Sequence, residues 1–80
     1  MDETSKKLES ETEKWKKKVE EEMKNISPSS RKGKEFSENI RAYIKDSGYF
    51  LERGDYIRAF EAIIWAWALF ETGKAEGILQ

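Results

Sequence analysis

FLERGDY, at residues 50–56, decides the fold, because it joins two apolar segments through a very short turn. Gly54 supplies the left-handed backbone conformation that often ends a helix. Asp55 is a residue type that commonly caps the start of the next helix. Since only residues 53–55 separate the two segments, we predict that two helices fold back on each other as an antiparallel hairpin.

The segments on either side of this turn have the periodicity of amphipathic helices. Helix 2 is predicted over about residues 31–52, where apolar side chains recur every three or four residues. These side chains are Phe36, Ile40, Tyr43, Ile44, Phe50 and Leu51. Helix 3 is predicted over about residues 56–72 and is apolar on more than one side. We therefore expect helix 3 to be the central element, with Gly73 ending it and residues 74–80 forming a short tail.

The N-terminal segment is far more polar and is predicted to be helix 1, over about residues 2–26. Fifteen of the 31 charged side chains lie between Asp2 and Lys24, around one narrow apolar stripe. The stripe consists of Leu8, Trp15, Val19 and Ile26. Such a helix buries one side against a core and leaves the rest in water. We therefore predict one all-α domain over residues 1–80, a three-helix antiparallel bundle in which helix 1 lies across the hairpin.

The link between helix 1 and helix 2 contains the only proline of the chain. Pro28 disfavours helical geometry at Ser27, so helix 1 must end by that point. Ser27 is also a suitable cap for a helix that starts with proline. The sequence therefore leaves open whether residues 27–33 are a loop or the first turn of helix 2.

The composition excludes several kinds of catalytic and metal site. The chain has no Cys and no His, which excludes thiolate nucleophiles, Ser-His-Asp triads and metal sites built from either residue. The longest apolar run, Ala62 to Phe70, is far shorter than the roughly 20 residues of a membrane-spanning helix. No signal-peptide pattern opens the chain. We expect a cytoplasmic protein that is not an enzyme, holds no cofactor or metal and does not bind membranes.

Two resemblances concern the hairpin. Gly54-Asp55-Tyr56, followed by Ala59 and Ala66, resembles the turn and second helix of a tetratricopeptide hairpin. A longer pattern, over residues 36–79, resembles the archaeal domain of unknown function 357 family. That pattern comprises Tyr43, Asp46, Phe50-Leu51-Glu52, Gly54-Asp55, Ala59-Phe60, Trp65-Ala66, Glu71, Gly73 and Gly77. The second resemblance implies a small all-helical domain of archaeal origin and lends no activity.

The candidate interaction residues lie late in the chain. Trp65 and Leu69 fall away from the main apolar face of helix 3, and Ile78 and Leu79 are the apolar residues of the tail. Trp65 has two interpretations: it packs against helix 1, or it is an exposed anchor for a partner or a second copy. From these residues we expect a non-catalytic helical protein-interaction module with an unidentified protein partner or a homodimer.

Two alternative functions use polar residues. Glu71 is predicted within the apolar face of helix 3, where an unpaired carboxylate is costly. Helix 2 should bring Asn39 to the same level as a donor, and a small-ligand or enzyme accessory site around Glu71 is one alternative. Asp46 should lie roughly two turns from Glu71, too far for the two carboxylates to act as an acid–base pair. The other alternative is a nucleic-acid-associated accessory protein, although a net charge of −1 disfavours that partner. Its basic cluster consists of Arg31, Lys32, Lys34 and Arg41.

Overall fold

The computed structural model describes residues 1–80 and contains three helices and no strand. They are α1 (Glu3–Met23), α2 (Arg31–Glu52) and α3 (Tyr56–Ala75). Together they form a bundle of about 44 × 17 × 17 Å. α2 runs antiparallel to both neighbours, and α1 lies beside α3 in the same direction, since Leu8 is near Phe60 and Trp15 is near Trp67. The predicted all-α three-helix fold is confirmed.

The turn between α2 and α3 has the geometry that its sequence predicts. Gly54 has a φ of +74°, in the left-handed region. The backbone N–H of Asp55 donates to the Phe50 carbonyl at 2.9 Å, and that of Gly54 donates to the Leu51 carbonyl at 3.1 Å. These two bonds are the Schellman pattern that closes a helix. The Asp55 carboxylate then accepts from the backbone N–H of Arg58 and caps α3.

Small side chains let α2 and α3 approach each other closely. Ala59, Ala62 and Ala66 of α3 are buried, and Ser47 of α2 is buried opposite them. The Ser47 hydroxyl donates a hydrogen bond of 2.8 Å to the Ala59 carbonyl, so this polar group is satisfied inside the seam. Larger apolar residues fill the space between all three helices. The buried core cluster consists of Val19, Met23, Ile26, Ile40, Ile44, Ile63, Ala66, Phe70 and Leu79.

Trp67 holds α1 against the hairpin. Its indole N–H donates to the Trp15 carbonyl of α1 at 3.0 Å. The rings of Trp15 and Trp67 meet edge to face with centroids 5.6 Å apart, and Trp67 meets Phe70 in the same way. Edge-to-face contacts of this kind add stability beyond the apolar area that they bury. The charge-rich helix is therefore fastened by an aromatic cluster at its middle.

The end of α3 differs from the predicted one. Gly73 does not end the helix: it is buried inside α3, which continues to Ala75. The left-handed residue is Gly77, with a φ of +71°. The N–H of Ile78 donates to the Gly73 carbonyl at 2.8 Å, and that of Gly77 donates to the Lys74 carbonyl, which forms a second Schellman pattern. Gly73 is small because the tail turns back and packs Leu79 directly on it.

The connection between α1 and α2 is held by the tail. α1 ends at Met23, three residues before the predicted end, and Ile26 enters the core after the helix has finished. The Ser27 N–H donates to the Gln80 carbonyl at 2.6 Å. Ser30 caps α2 by accepting from the Gly33 N–H at 2.9 Å. Residues 27–29 are therefore a loop, and residues 31–33 form the first turn of α2.

Two helical glycines of α2 should respond oppositely to alanine. A Cβ at Gly33 would lie 2.6 Å from the Ile78 carbonyl oxygen, whereas a Cβ at Gly48 meets only the flexible Lys16 side chain at 3.4 Å. Alanine gains about 1 kcal/mol of helix propensity, but overpacking costs roughly 1–3 kcal/mol. We expect Gly33→Ala to lower the free energy of unfolding and Gly48→Ala to raise it slightly. Urea denaturation compares them, and equal stability of the two variants would show that the tail is not seated on α2.

Candidate interaction surface

α3 presents three sides, two of which are occupied. Trp67 and Phe60 face α1, while Ala59 and Ala66 face α2. The third side is open to solvent and mixes charged residues such as Arg58 and Glu61 with large apolar ones. Ile57 is 66 % exposed, Ile64 46 % and Trp65 59 %. Isolated exposed apolar residues are common on soluble proteins, but a cluster on one side marks a contact surface.

A shallow groove follows the line where α2 and α3 meet, on the side away from α1. Its volume is about 470 Å³, and no residue of α1 lines it. We call it the open groove, and it is lined by Asn39, Ala42, Tyr43, Asp46, Trp65 and Leu69. Four of these six residues come from the sequence predictions, where they belonged to two separate candidate sites. The structure brings Trp65 and Leu69 together with Asn39 and Asp46 on one surface.

Trp65 forms one wall of the open groove. Its ring stacks on Tyr43 of α2, with centroids 6.4 Å apart and an angle of 21° between the planes. It does not pack against α1, because Trp67 occupies that position. Of the two interpretations of Trp65, packing against helix 1 is therefore wrong. The other face of its indole remains available, since more than half of the side chain is in solvent.

Asp46 and Asn39 supply the polar groups of the open groove. The structure contains four ion pairs, and Asp46 takes part in none of them. The neighbours of Asp46 three and four residues away on α2 are Ala42, Tyr43, Tyr49 and Phe50, which carry no positive charge. No lysine or arginine lines the groove. It is therefore an apolar and aromatic surface with one uncompensated carboxylate.

The other predicted interaction residues lie elsewhere. Leu79 is only 3 % exposed and belongs to the core, so its predicted role as a contact residue is wrong. Ile78 is half-buried beside it and does not line the open groove, and its carbonyl oxygen approaches Gly33 at the start of α2. The tail is apolar because it closes the end of the bundle. These two residues are structural.

Glu71 does not belong to the open groove. It is exposed and forms no hydrogen bond with Asn39, contrary to the predicted pairing. Glu71 does lie close to Phe60 in angle around α3, but Phe60 itself is at the edge of the buried face and is only half-buried. The carboxylate therefore extends into water and needs no partner.

The basic residues of the alternative nucleic-acid site do not form one patch. All four are exposed, but only Arg31, Lys32 and Lys34 lie at the start of α2, while Arg41 lies at its middle. Arg31 pairs with Glu35 at 3.6 Å. At 100° per residue, Lys32 and Arg41 lie about 180° apart around the helix. Arg41 instead borders a groove between α1 and α2, where Lys16 and Lys45 are balanced by Glu20 and Glu52. This arrangement spreads the positive charge around the helix.

Sequence analysis missed two residues of the open groove. Tyr43 was assigned to the buried face of helix 2, and Ala42 was not considered. A usable signal exists, because Asn39, Ala42, Tyr43 and Asp46 follow a spacing of three to four residues along one side of a helix. What the pattern does not contain is the position of α1, which decides whether that side is covered.

Comparison with known proteins identifies the family. A family model described as "Protein of unknown function (DUF357)" matches residues 8–79. The chain belongs to the DUF357 family. Among solved structures, it is similar to the crystal structure of protein AF1782 from Archaeoglobus fulgidus, a DUF357 protein with 45 % sequence identity. The match covers 96 % of each chain with a TM-score of 0.87. No curated protein matches the sequence.

Membership of the DUF357 family confirms the predicted resemblance and extends it. The pattern recognised in the sequence began at Phe36, whereas the family model also includes most of α1, from Leu8 onward. Leu8, Trp15 and Val19 are among the α1 residues that contact the hairpin. The DUF357 unit is therefore the whole three-helix arrangement. None of the three DUF357 helices here combines the length and the apolar content that crossing a membrane requires.

Proposed function

We propose that the protein is a non-catalytic helical interaction module whose contact surface is the open groove of the α2–α3 hairpin. The observation that carries this proposal is the exposure of Trp65, which is 59 % accessible although it stands on an aromatic partner. Tryptophan is a residue type that dominates contact energies when a partner buries it. Leu69 lines the groove with it, and Ile64 is a further exposed apolar residue about 100° away around α3.

The different contacts of Trp67 and Trp65 support this proposal. Trp67 donates a hydrogen bond to α1 and packs its ring against Trp15, so folding buries part of its side chain. Trp65 is two residues away and makes no hydrogen bond, and its aromatic contact is with Tyr43 of α2 rather than with α1. Groove-shaped surfaces between two helices are a common docking place for a third helix. Binding there would bury the indole face that folding leaves in water.

Site-specific cross-linking tests the proposal. A photo-reactive amino acid placed at Ile64 lies on the open side of α3, and one at Ser10 lies on the exposed side of α1 as a matched control. We expect a discrete protein product from position 64 in an extract of the source organism, and none from position 10. The product should disappear in a Trp65→Ala background and form again with the purified partner.

Sedimentation equilibrium distinguishes the two kinds of partner. If the partner is a second copy, the wild-type chain dimerises and Trp65→Ala lowers the dimerisation constant. If the partner is another protein, the purified chain remains a monomer and the cross-linked product contains a second sequence. Equal cross-linking from positions 64 and 10, or products that persist without Trp65, would show that the open groove is not the contact surface.

A further inference from the structure

From the chemistry of the open groove we propose that its partner is a helix that presents an arginine side chain, which stacks on Trp65 and pairs with Asp46. This inference rests on the proposed function, since it names the partner chemistry of the same surface. Three observations point to a guanidinium. They are the uncompensated carboxylate, the free aromatic face next to it, and the absence of any cation in the lining.

The carboxylate sets the charge of the partner. Asp46 has no cation three or four residues away, in contrast to the acidic residues that form the four intrachain ion pairs. An apolar partner would shield Asp46 from water without replacing its hydrogen bonds, which is costly. An acidic partner would be repelled. A cationic side chain instead gives a charge-assisted hydrogen bond, and a guanidinium offers two parallel donors to one carboxylate.

The aromatic wall favours arginine over lysine. A guanidinium is planar, weakly hydrated and stacks on indole faces, while an ammonium is compact and strongly hydrated. Tyr43 stacks on one side of the Trp65 ring, with an angle of only 21° between the two planes, and leaves the opposite side for the partner. A cation over tryptophan is also attracted by the negative charge of the ring face. Asn39, two turns before Asp46 on α2, adds a further polar side chain with a carbonyl acceptor to the lining of the groove.

The charge pattern argues against a second copy as the occupant. A two-fold symmetric contact places each surface against itself. Two open grooves facing each other would bring two Asp46 carboxylates together, with no cation in either lining. The groove lies between two antiparallel helices, and its apolar lining includes Ala42 and Leu69. A partner helix with apolar residues three or four positions from its arginine fits this surface.

Three alanine-rich helical peptides that differ only at a central residue test the proposal. That residue is arginine, its neutral isostere citrulline, or leucine. Each is titrated into the full-length ¹⁵N-labelled chain, and the shifts of the Trp65 indole N–H and the Asn39 side-chain amide are followed. We expect binding of the arginine peptide to be about threefold or more tighter than that of the other two, which corresponds to the usual range of a surface ion pair.

A variant inside the groove and a matched control outside it show whether the groove causes the preference for arginine. Asp46→Asn should reduce the arginine preference to near unity, whereas Glu38→Gln removes the same charge from an exposed position of α2 outside the groove and should leave the preference unchanged. Tighter binding of the leucine peptide, or an arginine preference that survives Asp46→Asn, overturns the arginine inference but keeps the groove as a contact surface. If no peptide shifts Trp65 at millimolar concentration, the arginine inference fails, and the cross-linking result decides the proposed function separately.

Discussion

Replacing Leu79 with alanine is expected to lower the free energy of unfolding by about 2–5 kcal/mol, the usual cost of truncating a buried leucine. Leu79 is 3 % exposed and packs on Gly73 and Phe36. The tail that carries it also accepts the Ser27 N–H through the Gln80 carbonyl. Loss of the leucine therefore weakens the closure between the tail, α3 and the α1–α2 loop. Urea denaturation followed by circular dichroism measures the change.

Ile78→Ala is the matched control for this prediction. Ile78 is adjacent and similar in size but half-buried, so its truncation should cost less than half as much. If both substitutions leave stability within about 0.5 kcal/mol of the wild type, which is typical of exposed positions, the tail is a free apolar surface. That result would restore the sequence-based view of Ile78 and Leu79 as contact residues.

Replacing Trp67 with alanine is expected to lower the free energy of unfolding by about 3 kcal/mol, the lower end of the range for large aromatic residues in cores, because Trp67 is half-buried against the core. The change removes the contacts with Trp15 and Phe70 and the hydrogen bond to the Trp15 carbonyl. Because α1 is otherwise held by a narrow apolar stripe, its docking should weaken most. Helical signal and urea midpoint should both fall.

Trp67→Phe separates the hydrogen bond from the packing. Phenylalanine keeps an aromatic ring beside Trp15 but has no N–H to donate. We expect a loss of about 1 kcal/mol from the hydrogen bond, in addition to that of the smaller ring. Trp67→Ala and Trp67→Phe variants that are both as stable as the wild type would show that the indole does not hold α1 against the hairpin.

The elements that the sequence predicts correctly depend on neighbouring residues. The hairpin turn follows from Gly54 and Asp55, whose roles as helix end and helix cap are local. The end of α3 is different. A glycine that ends a helix and a glycine that admits a neighbouring side chain look alike in a sequence, and Gly73 is of the second kind. Only the return of Leu79, which is a tertiary contact, distinguishes it from Gly77.

The location of the candidate surface likewise depends on a contact between residues that are distant in the sequence. Trp65 and Trp67 lie about 200° apart around α3, so one of them must face away from α1. Either choice satisfies the periodicity of the helix. The structure resolves it through the hydrogen bond from Trp67 to the Trp15 carbonyl, between residues 52 positions apart. Glu71 was misplaced for the same reason, because the centre of the buried face is set by where α1 and α2 dock.

The separate roles of Trp65 and Trp67 are tested most directly by comparing the urea unfolding of Trp65→Ala with that of Trp67→Ala. Trp65 contributes one aromatic stack on Tyr43 and is mostly in solvent. We expect its removal to lower the free energy of unfolding by about 1 kcal/mol, the usual contribution of such a stack, while the fold and the docking of α1 persist. A loss of stability as large as that of Trp67→Ala would contradict the assignment of Trp65 to a contact surface, because Trp65 would then be a structural residue.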